Sequence, residues 1–272
     1  MQNLNGHYGK ICWIYEDGKK KNTVILLAGL TLLALVLRLV ALWFYPIVQR
    51  DGILYLEMMD AWNDSGSYQG MLKVFRWKEW IPPFPLYLMK LLMPLGLSAE
   101  CSAKCLSIAC GSFVPAIGYG IAWSLTKRQY IALAAGVLFA VHPVFIEFST
   151  QPLRDGFYIF WAGLTLLFLC RGMMEAKWYD WCVAGVFAAT SFLTRYETLE
   201  FFPLVALFLV SAPVFHGYSW KKAVLHGILF FAVVLLTLFL LHSLMGTWSY
   251  FQQSYCNYYQ QRLQLLKQIW TF

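Results

Sequence analysis

The chain has 272 residues, of which 60% are hydrophobic and 13% charged, against roughly 45–50% apolar and about 25% charged residues in a soluble domain. A soluble core of this size cannot hide so much apolar surface, so the composition excludes an ordinary soluble protein and predicts an integral membrane protein. The net charge of +7 falls in short loops between apolar runs, which favours cytoplasmic flanks of membrane helices over nucleic-acid binding. We expect no nucleic-acid partner.

Residues 1–22 are polar and end in three consecutive lysines, which predicts a cytoplasmic N-terminal segment. The apolar run 23–45 is too long for the hydrophobic part of a cleavable signal peptide and predicts a first spanning helix. This helix carries one charged residue, Arg38. Its side chain either snorkels outward or faces a polar cavity within the bundle.

Residues 46–81 predict a polar and aromatic outer loop, within which 55–62 predicts a short helix on the membrane surface. Seven further apolar segments follow: 82–97, 105–125, 130–148, 156–170, 178–194, 196–212 and 223–245. The Tyr- and Gln-rich tail, 246–272, is not a span. We therefore expect an all-α polytopic membrane helix bundle, with about seven or eight transmembrane segments within residues 23–245.

The number of spans decides where two acidic residues lie. If all eight apolar segments cross, Asp51 and Asp155 lie on opposite sides of the membrane. If 82–97, which contains four prolines, dips in without crossing, seven spans remain and both residues face outward. The basic loop residues divide almost equally between the two sides, so the positive-inside rule favours seven spans only narrowly.

The seven cysteines lie mostly in or beside apolar runs, and they form neither a CxxC pair nor a zinc-ligand spacing. We predict packing roles for them. The sequence also contains no GxSxG, HExxH or Walker-type glycine motif. Candidate functional residues must therefore be sought among the polar groups that interrupt the apolar segments, because such groups are costly in a membrane.

The first candidate site is Arg50-Asp51 with Tyr55, directly after the first helix. Asp51 could accept a proton as a general base, orient an acceptor or help to hold a metal ion. The alternative is a turn aspartate that pairs with Arg50. Arg76 adds a basic and aromatic cluster to the same loop.

The second candidate site is Arg154-Asp155, between two apolar runs. The guanidinium of Arg154 has the planar fork suited to phosphate. The alternative is that this segment is an ordinary polar loop. The third is the tight turn containing Arg195 and Glu197. These two residues either bind phosphate or pair with each other.

The order of these features resembles the GT-C membrane glycosyltransferases, in the group that contains protein O-mannosyltransferases and lipid A aminoarabinose transferases. That family often has an Arg in the first helix, then an acidic residue, a Tyr and a small residue in the first outer loop. A Pro-Pro, a later Pro with an Arg/acidic pair, and a Leu-Thr-Lys/Arg helix end follow. The matching residues here are Arg38, Asp51, Tyr55, Ala61, Pro82-Pro83, Pro143, Arg154-Asp155 and Leu193-Thr194-Arg195.

The resemblance implies a glycosyltransferase that moves a sugar from a polyprenyl-phosphate donor to a lipid, glycan or protein acceptor at the outer membrane face. Transfer is expected to invert the anomeric centre by direct displacement, with Asp51 as base and Asp155 as a second catalytic carboxylate. Residues expected to contact the donor phosphate or substrate are Arg50, Tyr55, Arg76, Arg154, Arg195 and Glu197. No organic cofactor is expected, and a divalent cation is compatible with these roles.

Two other functions remain open at this stage. A transporter or lipid flippase would use the same intramembrane Arg and Asp residues for substrate passage, although the sequence has no repeated halves and no matched pair of broken helices. A non-catalytic membrane subunit is the third alternative. In each case we expect a multi-pass protein of the inner or plasma membrane, with the lipid bilayer as its main partner.

Overall fold

A computed structural model describes residues 5–44, 47–75, 82–215, 219–247 and 260, with side chains from Asn22 onward except at positions 200 and 212. Within these ranges the structure consists of eleven α-helices and two 3-10 helices, without a strand. The helices are α1 Asn5–Phe44, α2 Arg50–Ser65, α3 Tyr68–Val74, α4 Phe84–Leu92, α5 Ala99–Thr126, α6 Gln129–Val141, α7 Pro143–Thr150, α8 Arg154–Glu175, α9 Trp178–Phe192, α10 Phe201–Phe215 and α11 Trp220–Met245. The predicted all-α bundle is confirmed.

Four of the described helices are long and apolar enough to cross a membrane: Asn22–Phe44, Ala99–Thr126, Arg154–Glu175 and Trp220–Met245. The pair α6 and α7 adds a fifth if it counts as one bent span. Both α1 and α11 expose large apolar side chains, such as Trp43 and Leu244, as a surface in contact with lipid does. The chain is therefore an integral, multi-pass membrane protein.

The segment predicted as one helix over 130–148 is broken. The axes of α6 and α7 differ by 52°, and the break lies at His142-Pro143. A proline ring has no N–H to donate and disfavours the helical conformation of the residue before it. His142 accordingly has an extended backbone, with φ −67° and ψ 124°.

The bundle has two ends, which we call the site end and the opposite end. At the site end, the Phe84 backbone N–H donates to the Leu193 carbonyl at 3.3 Å, and the Tyr87 hydroxyl donates to the Met245 carbonyl. At the opposite end, Lys127 pairs with Glu175 at 3.7 Å. These contacts and the order of the helices imply that the described part of the chain passes between the two ends seven times, in α1, α5, the α6–α7 pair, α8, α9, α10 and α11.

The helix α4 does not make such a pass. With its 3-10 extension to Leu95 it has nine α-helical and three 3-10 residues, about 20 Å of length, whereas the hydrocarbon core is about 30 Å thick. This agrees with the arrangement in which 82–97 dips in without crossing. Because α9 and α10 have only 15 residues each, the number of membrane spans stays a prediction.

The segment 47–75 folds onto the site end. The predicted surface helix 55–62 is the middle of a longer helix, α2, whose buried residues recur every three or four positions at Tyr55, Met58, Met59 and Trp62. These side chains share one core with Met71, Leu86, Met89 and Phe157. The shared core joins the predicted outer loop to α4 and to the start of α8.

The packing role predicted for the cysteines is correct for the buried Cys170 and wrong for two others. Cys101 and Cys105 are exposed, one turn apart in α5, with their sulfur atoms 3.9 Å apart. Apolar surroundings in the sequence did not distinguish them, because a helix has both a buried and an exposed face.

Candidate functional site

The site begins where the end of the first span meets the start of α8. The backbone N–H of Gln49 donates to the side-chain Oε1 of Gln151 at 3.0 Å, and Gln151 Nε2 donates to the carbonyl of Ile47 at 3.1 Å. Gln49 Nε2 also donates to Glu147 Oε1 at 2.8 Å. Because the Gln151 side chain is buried, these hydrogen bonds hold 47–49 firmly against 147–151.

The next contact places Asp51. A Cβ atom on Gly52 would lie 2.8 Å from Pro152 Cγ and 2.7 Å from Val48 Cγ1, so this close approach requires glycine. Asp51 lies beside this contact in the first turn of α2 and is exposed to solvent. Among the described residues it forms no ion pair, and the alternative pairing with Arg50 is not observed.

Arg195 organises the other half of the site. Its Nη1 donates to Asp155 Oδ1, and its Nη2 donates to Glu197 Oε1 at 3.2 Å. The guanidinium carbon lies 5.4 Å from the centroid of the Tyr158 ring, within range of a cation–π contact. Within the described part of the chain, Arg195 Nε is buried without a hydrogen-bond partner.

The turn that carries Arg195 is itself held by hydrogen bonds. Thr194 Oγ1 donates to the Thr190 carbonyl at 2.8 Å, and the hydroxyls of Ser191 and Thr198 lie 3.1 Å apart. Thr194 is fully buried. The pairing of Arg195 with Glu197, which the sequence left as an alternative to phosphate binding, is present, and Asp155 joins it.

Tyr55 connects the two halves. Its phenol is buried, and burial raises its pKa to about 12. Arg154 and Arg195 oppose this shift, whereas Asp155 and Asp51 reinforce it. All four charged side chains therefore lie close enough to act on one hydroxyl. The structure thus brings together six of the predicted site residues, namely Asp51, Tyr55, Arg154, Asp155, Arg195 and Glu197.

The structure does not place the other two predicted contact residues, Arg50 and Arg76, in this cluster. Arg50 opens α2 with an exposed side chain next to Asp51. Arg76 lies outside the described residues.

The ion pair between Arg195 and Glu197 shifts the pKa of both partners towards their charged forms. Burial alone would raise the pKa of the Glu197 carboxyl. The hydrogen bond from Arg195 and the charges of Arg195 and Arg154 outweigh burial, so the pKa lies below its ordinary value. Burial lowers the pKa of the Arg195 guanidinium, and Glu197 and Asp155 more than offset this. Asp155 and Glu197 are each paired with Arg195, whereas Asp51 forms no ion pair among the described residues.

Three contacts of this site were not predicted from the sequence. Gln49 and Gln151 lie in the two candidate segments but were given no role, and Glu147 was not singled out. Arg38 was predicted to snorkel or to face a polar cavity. It is fully buried inside the bundle, which excludes snorkelling, and its Nη1 donates to the carbonyl of Ala34 at 3.0 Å.

The surroundings of Arg38 explain why it does not snorkel. A Cβ atom on Gly111 would meet both the Ser149 hydroxyl and Arg38 Nε. The side chain therefore points between α5 and α7, into the packed interior of the bundle.

A metal ion would need a cluster of suitable ligands. Among the described residues, no group of three or more His, Cys, Asp or Glu side chains is placed to hold one. A divalent cation at this site stays a prediction.

Comparison with known proteins places most of this site in one family. A family model described as dolichyl-phosphate-mannose-protein mannosyltransferase matches residues 81–242, more than half of the chain. The matched range contains Arg154, Asp155, Arg195 and Glu197 and begins after Asp51. No curated protein and no solved structure gives a match.

Proposed function

This chain belongs to the dolichyl-phosphate-mannose-protein mannosyltransferase family, which consists of GT-C membrane glycosyltransferases, and from that premise we propose that it transfers a sugar from a polyprenyl-phosphate donor. The acceptor is a hydroxyl or amine of a lipid, glycan or protein at the outer membrane face. One observation carries this proposal. Arg195, in the turn after α9, pairs with Asp155 of α8, and Gly52 of α2, next to Asp51, packs against Pro152, three residues before Asp155, at a single end of the bundle.

Arg195 and Arg154 bind the donor phosphate in this proposal. A guanidinium can donate two parallel hydrogen bonds to phosphate oxygens, and Arg195 still has a donor, Nε, without a partner in the described structure. The isoprenoid tail needs an apolar environment, which the membrane-facing helices provide. Asp155 and Glu197 act as positioning residues because they hold the fork of Arg195 in one orientation.

Asp51 acts as the general base. Its exposed carboxylate accepts the proton of the acceptor hydroxyl or amine as the acceptor oxygen or nitrogen attacks C1 of the sugar. The bond from C1 to the phosphate oxygen breaks on the opposite face, and its electron pair leaves with the phosphate. A single displacement of this kind inverts the anomeric configuration.

The leaving group needs no proton from the protein. The departing polyprenyl phosphate is already a stable anion, and the guanidinium groups stabilise the charge that it gains. This explains why the site needs one base and two cations rather than an acid–base pair of carboxylates. We place the reaction in the inner or plasma membrane.

Purified protein with a radiolabelled polyprenyl-phosphate sugar tests the proposal. Extracted membrane lipids and hydroxyl-bearing peptides serve as acceptors, and the D51N variant serves as the inactive control. Labelled acceptor formed by the wild type supports the transferase. Uptake of the substrate into sealed vesicles without transfer would instead support a transporter, and neither activity would support a non-catalytic subunit.

A further inference from the structure

A second feature of the site end is a cavity of about 540 Å³ between the end of α1 and helix α7. Its walls have two kinds of side chain. Ala41, Pro143 and Ile146 form an apolar side, and Gln49, Glu147 and Gln151 form a polar side. This volume is within the range of small-molecule sites in proteins.

The cavity lies next to the membrane-facing surface. Pro143, at the 52° bend between α6 and α7, forms part of its wall. Val40 and Val144 directly adjoin the lining residues Ala41 and Pro143 in the sequence. Both valines expose their side chains on the apolar outer surface of the bundle. An amphiphile in the bilayer can therefore reach the cavity from the side, with its chain along the apolar wall.

The charge of the cavity favours the acceptor over the donor phosphate. Glu147 supplies a carboxylate, and none of the described residues that line the cavity is Lys or Arg. A phosphate would be repelled here, whereas an amine or hydroxyl can donate to the carboxylate. The guanidinium groups suited to the donor phosphate belong to Arg154 and Arg195, in the other half of the site.

The polar wall of the cavity adjoins the proposed base. Gln49 lies two residues before Asp51, and Gln151 precedes Pro152, which packs against Gly52. A head group beside Glu147 is thus next to the segment that carries Asp51. In the proposed function, the donor phosphate binds to Arg195, which pairs with Asp155, four residues after Gln151.

We propose that this cavity is the acceptor site, and that the acceptor is a lipid-like amphiphile without a phosphate at its reactive end. Its apolar chain lies against Ala41, Pro143 and Ile146, and Glu147 holds its hydroxyl or amine next to Asp51. This assignment rests on the proposed function, because it names the second substrate of that transfer.

Photolabelling tests binding without requiring turnover. The probe is a radiolabelled long-chain alkyl amine with a diazirine in its chain, and the label is mapped by peptide sequencing. We expect label in residues 143–151, competition by an alkyl alcohol of equal length, and no competition by the matched alkyl phosphate. The E147Q variant should lower amine labelling about tenfold, as the loss of one charge-assisted hydrogen bond does.

Two variants that fill the cavity from different helices, α1 and α7, guard against misfolding. I146W and A41L should each reduce labelling while the protein remains monodisperse in detergent. E57Q removes an exposed carboxylate of α2 that does not line the cavity and should label like the wild type. Labelling that neither filling variant reduces would overturn the assignment.

Competition of the labelling by other compounds would show that the cavity binds a different ligand. Equal competition by the alkyl phosphate would overturn the proposal in favour of a donor site, and protection by a hydroxyl-bearing peptide alone would do so in favour of a protein acceptor. Sugar transfer by the wild type without specific labelling would reject this inference and leave the transferase intact. Specific labelling without any transfer would show that an amphiphile binds in the cavity, but it would reject the transferase and with it the acceptor assignment.

Discussion

The side chain of Gln151 holds the backbone of Gln49 across 102 positions of sequence. The buried amide accepts from Gln49 N–H at 3.0 Å and donates to the Ile47 carbonyl at 3.1 Å, so both of its hydrogen-bonding groups are used. The segment that leads into Asp51 is thereby fixed to the segment that leads into Asp155. Each of these carboxylates stands in the first turn of its helix, where the helix dipole stabilises negative charge.

Replacing Gln151 by leucine tests this connection. The change keeps the volume of the side chain roughly constant but removes two partly buried hydrogen bonds, to the Gln49 N–H and the Ile47 carbonyl, at a cost of about 0.5–1.5 kcal/mol for each. We expect a lower midpoint of thermal unfolding in detergent and reduced sugar transfer. Q129L changes an exposed glutamine at the opposite end and should leave both measurements unchanged; equal effects of the two variants would show that the connection has no special role.

Replacing Asp51 by asparagine removes the proposed base and keeps the shape of the side chain. We expect transfer to fall by about 100-fold or more, the usual contribution of a general base, with unchanged expression in the membrane. The assay is transfer from the radiolabelled donor. The matched control is D60N, an exposed aspartate on the same helix. Full activity of D51N would reject the assignment of the base.

Replacing Arg195 by lysine keeps the positive charge and removes the planar fork. Arg195 contacts Asp155 through Nη1 and Glu197 through Nη2. The single ammonium nitrogen of lysine cannot reproduce this geometry. We expect KM for the polyprenyl-phosphate donor to rise about tenfold or more, as the loss of a charge-assisted hydrogen bond implies. R128K, in an exposed loop at the opposite end, should behave as the wild type. An unchanged KM in R195K would contradict the role of the fork.

Tyr55 gives a prediction for alkaline pH. Burial raises its pKa from 10.0 to about 12 in the folded protein, so the folded state binds the phenolic proton more tightly than the unfolded state. The resulting stability is complete below pH 10 and is lost as the pH rises from 10 to 12, by about 1.4 kcal/mol per pH unit at most. Y55F should flatten this loss.

Thermal unfolding from pH 8 to 11.5 measures the effect. The control Y130F removes an exposed tyrosine and should retain the wild-type slope. If Y55F and Y130F have the same slope, the phenol of Tyr55 is not shielded from solvent as the structure indicates.

Cysteine labelling tests the arrangement relative to the membrane. The native exposed cysteines Cys101 and Cys105 are first replaced, and single cysteines are then placed at positions 51, 155 and 127. With a membrane-impermeant maleimide on sealed vesicles, positions 51 and 155 should react from one side and 127 from the other. Labelling of 51 and 155 from opposite sides would eliminate a shared site and, with it, the proposed transfer.

The sequence predicted the helices well, because a membrane helix must satisfy its backbone hydrogen bonds within itself and hide them under apolar side chains. It failed at Pro143, which a count of apolar residues treats as part of a span although its ring breaks the hydrogen-bond ladder. It left open whether Arg38 snorkels or points inward, because that choice depends on the neighbours of a helix, and Gly111 and Ser149 belong to other helices.

By itself, the sequence determined that this protein lies in the membrane as a helical bundle, since its apolar runs have no other stable environment. It also identified Asp51, Asp155 and Arg195 as charges whose cost calls for a function. Only the tertiary structure decided that these charges lie at one end, that Arg195 joins Asp155 to Glu197, and that Gln151 holds Gln49 beside a cavity. Such relations depend on packing between segments distant in sequence, which local composition does not encode.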